Sequence, residues 1–419
     1  MSRKEILLVL SMALAQFTNI MDFMIMMPLG PQFMKMFSIT PQQFGLLVSS
    51  YSFTAGISGF ICSFFLDHFD RKKALLVTYA GFVIGTAACA MAPGYQVLLI
   101  ARVLTGVFGG ILSAQILAIV GEVFPYERRA FALGIVTSSF SLASILGVPV
   151  GLYLAAEFDW HTPFFSIAAF GLIVFAMLLL FLPKMKDHLE HEFDRHPLAM
   201  LRGIFSNPNQ QRALLFMFLL VLGQFTIIPF IAPYMEFNVG FSEHQLSYMY
   251  LLGGAATFFT TPLVGKLADR IGKLKVFVVA AISSIIPLYV ITNMQAVAIG
   301  WALLISTLFF ILIMGRMTPA MTMITGTVTP ERRASYMSIV TSVQMLTAAL
   351  SAYLTGLMVD QLPDKQLVNY SHAGYVAIGS TVLAIVVSRT LVVAEGNTPP
   401  PKTEANGSME KEAELKTNL

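Results

Sequence analysis

Apolar runs of about 20 residues recur along this chain from Ile6 to Ala394, each long enough to cross ~30 Å of hydrocarbon. Lipid offers no partner to a free backbone N–H or C=O, so a spanning run is a helix or a strand of a closed barrel. Barrel strands alternate in polarity over about 10 residues, and these runs do not alternate. Only 12% of the 419 residues are charged and 56% are hydrophobic, whereas a water-facing domain carries about a quarter charged residues. Mean hydropathy is +0.74. The reading is an all-α integral membrane protein, with the lipid bilayer as its solvent. Twelve spans are expected at 6–29, 44–65, 74–92, 96–121, 130–154, 163–182, 212–236, 244–265, 274–293, 297–325, 334–358 and 372–394.

Several classes fall away at once. A formal charge of +3 does not point to nucleic acid. The only two cysteines, Cys62 and Cys89, lie inside apolar runs, which gives neither a disulfide framework nor zinc-ligand spacing. His161, His188, His191 and His196 form no metal pattern, and no cofactor is expected. The basic start and apolar run at Met1–Pro28 lack a cleavage site and read as a first span rather than a signal peptide. Walker motifs, H-E-x-x-H and an intramembrane Ser/His pair are absent, so an ATP-driven pump or an enzyme is not expected.

Lys and Arg fall on alternate loops. Arg3, Arg71, Lys72, Lys73, Arg128, Arg129, Lys266, Arg270, Lys273, Arg332 and Arg333 share one side with the central stretch 183–211, and the other side carries only Lys35 and Lys365. Positive loops stay in the cytoplasm, which predicts cytoplasmic termini and an even number of spans. The halves repeat: Ser63-x-x-x-Asp67-x-x-Asp70-Arg71 after the second span matches Gly265-x-x-x-Asp269-x-x-Gly272-Lys273 after the eighth. Pro125-Tyr126-Glu127-Arg128-Arg129-Ala130 likewise matches Pro330-Glu331-Arg332-Arg333-Ala334. The expected organisation is a six-helix bundle over 1–182, a cytoplasmic linker over 183–211, a second bundle over 212–394 and a disordered tail over 395–419. Transporters built from such repeats hold substrate near the midplane between them.

Gly265–Lys273 resembles the loop signature of the major facilitator superfamily, with Ser63–Lys73 as a degraded copy in which Ser63 and Asp70 replace glycines. Arg102-x-x-x-Gly106-x-x-x-Gly110 is similar to the family's fourth-helix motif. Gly147-Val148-Pro149-Val150-Gly151 is similar to the fifth-helix motif of its proton-linked exporters, with the proline spaced differently. Asn19–Asp22 before Pro28 resembles the first-helix motif of the twelve-helix drug:proton antiporters. The resemblance implies two pseudo-symmetric six-helix bundles, the major facilitator fold, with helices one, four, seven and ten lining a central cavity.

Ionisable groups deep in a span are expensive and are functional candidates by default. Asp22, Arg102 and Arg316 stand out, on the first, fourth and tenth spans. Counted at 1.5 Å per residue, Asp22 and Arg102 lie roughly 10 Å below the outer surface, close enough to pair. The pair either carries the coupling proton, with Arg102 tuning Asp22, or simply ties two helices together. Arg316 is a permanent cation that anchors a substrate anion, pairs with another helix or snorkels. Asn19, Gln115, Gln224, Tyr234 and Gln344 are polar candidates for the cavity, each equally explained as an interhelical hydrogen bond. Glu236 reads as a solvated loop residue and Trp160 as an outer interfacial anchor. Met21–Met27 is either a pocket wall or ordinary packing. Pro229 and Pro233 should bend the outer half of the seventh span.

The loop carboxylates have a physical reading. Helix starts carry about half a positive charge, so Asp67 and Asp269 can latch the inner mouth against the eleventh and fifth helices, the cross-bundle pairing that the resemblance implies. Arg71, Arg270 and Lys273 would brace the latch, together with Glu122, Glu127, Arg128, Glu331 and Arg332. The expectation is a monomeric secondary transporter of a small molecule in a bacterial inner membrane, working by proton-coupled efflux. Proton-coupled uptake of an anionic metabolite and a non-transporting sensor are the alternatives.

Overall fold

The computed structural model describes residues 3–65, 69–124, 126–183, 206–329 and 333–394. The expected linker and tail therefore lie outside the described residues, apart from the linker's first residue and its last six. So do Asp67, Glu331 and Arg332, as well as the side chains of Glu122 and Glu127.

Among the described residues, twelve helices are long and apolar enough to span a bilayer: Glu5–Ile25, Pro41–Cys62, Arg71–Ala90, Tyr95–Val120, Phe131–Glu157, His161–Phe181, Pro208–Val239, Glu243–Ile271, Lys273–Thr292, Ile299–Gly326, Tyr336–Met358 and Tyr370–Ser388. They match the expected twelve in order and number. Two ends differ by six residues. The eighth helix runs past the apolar residues through Lys266–Ile271 and stops at Gly272, whose φ of +102° only glycine adopts freely. The twelfth stops at Ser388, because Val392 leaves the helix to exchange two hydrogen bonds with the Asn209 side chain (2.7 and 3.0 Å). A two-stranded antiparallel pair, Asp360–Gln361 with Leu367–Val368, links the eleventh and twelfth helices.

Lipid cannot satisfy an open backbone, so breaks in a span need protein partners. The seventh span breaks at Thr226–Ile227, just before Pro229, and resumes as Ile228–Tyr234 and a wider turn over Met235–Val239. Two carbonyls at the break accept bonds from neighbouring helices: Thr355 Oγ1 donates to Thr226 O (3.1 Å) and Tyr370 Oη to Ile227 O (2.8 Å). Pro229 thus stands in the first turn of the resumed helix, and Pro233 lies inside it.

The core has three parts. One cluster is built wholly from the N-terminal half, including Leu8, Met12, Leu75, Tyr79, Ile116 and Leu178. Another has buried members only from the C-terminal half, including Phe216, Leu220, Phe277, Ile324 and Val340. Both lie toward the side with the basic loops. The third joins both halves on the opposite side, where Phe33, Phe44 and Trp160 share a core with Phe230, Met249, Phe310 and Tyr370. The halves are therefore fused at one end and hold separate cores at the other.

Close helix approach makes this seal. An added Cβ on Gly45 would lie 2.6 Å from Ala352 O and 3.1 Å from Gly356 Cα, across the second and eleventh helices. One on Gly254 would lie 2.6 Å from Ser144 O, across the eighth and fifth. The Gly81/Gly85, Gly106/Gly110 and Gly147/Gly151 pairs instead pack inside the N-terminal half, against the fourth, second and first helices.

Candidate functional site

Between the ends with separate cores, on the side of the basic loops, and the fused ends opposite lies a cavity of about 260 Å³. The first, fifth, seventh, eighth and tenth helices line it through residues such as Met24, Ser144, Gln224, Tyr250, Phe310 and Met317. Both halves contribute, as a site between repeats requires. No Asp, Glu, Lys, Arg or His stands in this lining.

Its polar groups divide into two kinds. The hydroxyls of Ser144, Thr257 and Thr261 each donate to a carbonyl of their own helix, at 2.7–2.9 Å, and so are partly spent. Tyr250 Oη is buried and has no partner among the described residues, while its ring leans on Phe310 at 5.6 Å. Gln224, Ser141 and Thr318 bring further polar side chains to the lining. Met24 and Met27 give the first helix a soft wall here, while Met21 and Met26 pack into the core.

Asp22 and Arg102 meet as their depths predict. Arg102 Nη1 donates to Asp22 Oδ2 at 2.6 Å and to Asp22 O at 3.3 Å, and both side chains are buried. Thr86 Oγ1 donates to Asp22 Oδ1 at 3.1 Å. The Tyr51 ring lies 4.5 Å from the guanidinium carbon, a cation–π contact. Tyr51 Oη donates to Asn19 Oδ1 (2.7 Å), and Asn19 Nδ2 donates to Gly109 O (3.1 Å) and Ser113 Oγ (2.9 Å). This chain of bonds ties the first four helices together and stands behind the cavity wall. Phe23, next to Asp22, lines the cavity.

Of the six polar candidates, only Gln224 reaches the lining. Asn19 belongs to the Asp22 network. Gln115 is buried in the N-terminal half. Tyr234 spends its hydroxyl on Met294 O (2.9 Å) and packs against Tyr370. Gln344 is half-buried on the eleventh helix. Arg316 is fully buried but faces away from the cavity, toward Ser284 and Thr381, while its neighbours Met317 and Thr318 face in. Tyr250, Met314 and Phe310 carry no sequence signal, since lipid-facing positions look the same.

Two outer residues differ from expectation. Glu236 is no solvated loop group. Its side chain is mostly buried and pairs with Lys35 of the other half, because the seventh helix continues past it. Nearby, Gln32 Nε2 donates to Glu243 Oε2 at 2.7 Å, also across the halves. Trp160 is 2% exposed and meets Phe33, Phe37 and Phe164 edge-to-face rather than facing the interface.

On the basic side, Asp269, Arg270 and Lys273 are exposed, and Asp269 makes no hydrogen bond or ion pair among the described residues. Arg71 is buried, whereas Arg128 is exposed and lies 3.9 Å from Glu5. Asp70, standing where a glycine was expected, caps the third helix by accepting from the Lys72 and Lys73 N–H groups. Lys72 Nζ reaches the Leu179 and Leu182 carbonyls at the end of the sixth helix (3.0 and 2.6 Å).

Known proteins agree with this architecture. The sequence matches the family model of the Major Facilitator Superfamily over residues 12–223 and 213–418. YwfA of Bacillus subtilis, described as an uncharacterized MFS-type transporter, is 25% identical over 91% of each chain. YceJ, of the same organism and description, is 26% identical over 61% of this chain and 65% of its own length. A bacterial homologue of the human lysosomal transporter Spinster, solved in an inward-facing and unoccupied conformation, superposes with a TM-score of 0.72 at 17% identity, covering 93% of this chain and 98% of its own. A D-xylose–proton symporter superposes with a TM-score of 0.71 at 16% identity, covering 94% and 99%. At these identities the structures speak for the fold alone. Two halves fused at one end around a shared cavity, and family matches that together run from residue 12 to 418, make this chain a member of the major facilitator superfamily.

Proposed function

We propose that the protein exports a small, uncharged, largely apolar molecule by alternating access, driven by the proton gradient. The observation that carries this reading is the cavity itself: shared by both halves, sealed on the side with few basic residues and free of ionisable groups. A charged solute entering such a lining would lose its hydration and meet no opposite charge. An aromatic or aliphatic body fits the Phe and Met walls, and one polar group suffices for Tyr250 and Gln224. Basic loops stay in the cytoplasm, so the conformation described is inward-facing, with the Lys35–Glu236 and Gln32–Glu243 contacts closing the outer mouth. The same asymmetry puts both termini in the cytoplasm of a cell membrane. The cavity is complete within one chain, as a monomeric transporter requires.

Proton coupling rests on Asp22, the only fully buried carboxylate among the described residues. Coupling requires the helices to part Asp22 from Arg102, and Tyr51 then still holds the guanidinium by its face. The test is flux of uncharged aromatic dyes from proteoliposomes with an imposed pH gradient, with an entrapped pH dye reporting protons. Dye movement against its gradient, with opposite proton flow, is expected. Proton and dye moving the same way would make the protein a symporter, and dye binding without flux would make it a sensor.

A further inference from the structure

Among the described residues each half buries one arginine completely, and the two halves treat it differently. Arg102 meets Asp22. Arg316 is equally buried, yet no carboxylate lies within reach of it among the described residues. Its Nη1 donates to Thr381 Oγ1 (2.8 Å) and more loosely to Ser284 Oγ (3.4 Å). Those hydroxyls in turn donate to Ala377 O and Ala281 O of their own helices, both at 2.7 Å, so only their lone pairs face the guanidinium. Nε and Nη2 have no partner among the described residues. Nη2 lies by Gly223 of the seventh helix, 3.5 Å from where a side chain there would begin, and Ser380 Oγ lies 2.5 Å from the same point. An ion buried without a counter-charge is among the least favourable arrangements in a protein. Guanidinium cannot escape by losing its proton. Neutral hydroxyls offer dipoles but no charge.

We propose that Arg316, through its unpartnered Nε and Nη2, binds a small monovalent inorganic anion of chloride size inside the C-terminal half. This site is separate from the cavity, since Arg316 points to the seventh, ninth and twelfth helices. The ion supplies the negative charge that Asp22 supplies in the other half. A carboxylate substrate is the poorer fit, because the guanidinium is enclosed by packed helices rather than facing the transport path.

The experiment is thermal unfolding of the purified full chain at constant ionic strength, exchanging chloride for gluconate. Binding to the folded state alone raises the melting temperature as the ion exceeds its dissociation constant. Chloride and bromide should raise it by several degrees in a saturable way, and gluconate should not. Formate and acetate, standing for a substrate carboxylate, should be weak. Arg316→Met should abolish the halide response while melting no lower in gluconate than the parent protein does. Identical melting of the parent in chloride and gluconate would overturn the proposal, as would a halide response that survives Arg316→Met or a stronger response to acetate than to chloride. If Arg316→Met does not fold, crystals grown in bromide decide. An anomalous peak in contact with the guanidinium is expected, and its absence overturns the site. These outcomes do not touch the export reading, which the cavity carries alone.

Discussion

Gly45→Ala is the smallest change that should unseat the outer seal. The new methyl would sit 2.6 Å from Ala352 O and 3.1 Å from Gly356 Cα. Both are backbone atoms of a packed helix, which cannot rotate away as a side-chain tip would. Overpacking of this kind costs about 1–3 kcal/mol. Alanine also favours the helix by up to ~1 kcal/mol over glycine, but that gain applies in every conformation and cancels from the equilibrium between them. The packing cost falls only on the state in which the second and eleventh helices touch here. The inward-facing population should therefore drop by about 5- to 150-fold relative to the outward-facing one. Spin labels at the exposed outer positions Gln96 and Asp364, one in each half, with Cys62 and Cys89 replaced by alanine, report the separation of the outer ends by pulsed electron resonance. A longer distance population should grow in Gly45→Ala. Gly379→Ala on the twelfth helix is the control, because a methyl there meets no atom within 4 Å. An unchanged distance distribution in Gly45→Ala, or an equal change in the control, would refute the reasoning.

Other expectations follow from single contacts. Lys35→Met should loosen the outer mouth by no more than about fivefold, since a partly exposed pair is worth ~1 kcal/mol or less; Lys35→Glu, which sets two carboxylates together, should loosen it further, and adding Glu236→Lys should restore the parent distances measured by the same labels. Tyr250→Phe should leave the melting temperature unchanged, because the hydroxyl has no protein partner among the described residues, and should raise KM for an exported substrate about fivefold, the value of one ~1 kcal/mol hydrogen bond; a lower melting temperature with an unchanged KM would mean the hydroxyl serves the fold. Asp22→Asn leaves Arg102 buried without its counter-charge and should cost about 3–5 kcal/mol, while Asp22→Leu with Arg102→Met should recover most of that stability. If the double variant folds and still couples dye to proton flow, Asp22 is not the proton carrier.

Charges were legible in the sequence because lipid leaves them few options. Asp22 and Arg102 could be paired by counting residues from the outer surface, and the structure joins them at 2.6 Å. The repeated loop motifs likewise pointed to two halves. The cavity was not legible. Met24, Phe225 and Phe310 have the hydropathy of any lipid-facing residue, and only the meeting of two halves turns them inward. Polar residues misled for the opposite reason. Asn19 and Tyr234 are polar because buried segments use hydrogen bonds to choose their neighbours, and a pattern along one helix cannot say which neighbour is chosen. Glu236 was misplaced because hydropathy falls before the helix ends, and the partner that makes its burial tolerable, Lys35, is 201 residues away.

The two halves also differ in how they hold the helices that must move. In the N-terminal half, the Asp22 network links the first four helices through a charged bond, a cation–π contact and several neutral bonds. At the break in the seventh helix, the matching position of the other half, Thr226 O and Ile227 O are each held by one neutral hydroxyl. Neutral bonds contribute about 0.5–1.5 kcal/mol each, against about 1.5–3 kcal/mol for bonds to charged groups. Opening the outer mouth requires the segment that follows the first helix to leave the seventh, where Gly30 packs on Pro233. The half with the weaker ties should yield first, so the bend belongs to residues 226–239 while the N-terminal bundle moves as a body. Amide hydrogen exchange should then be faster around Ile227 than around Asp22. Equal protection at the two positions would mean that both halves move rigidly and that the broken helix is shape, not hinge.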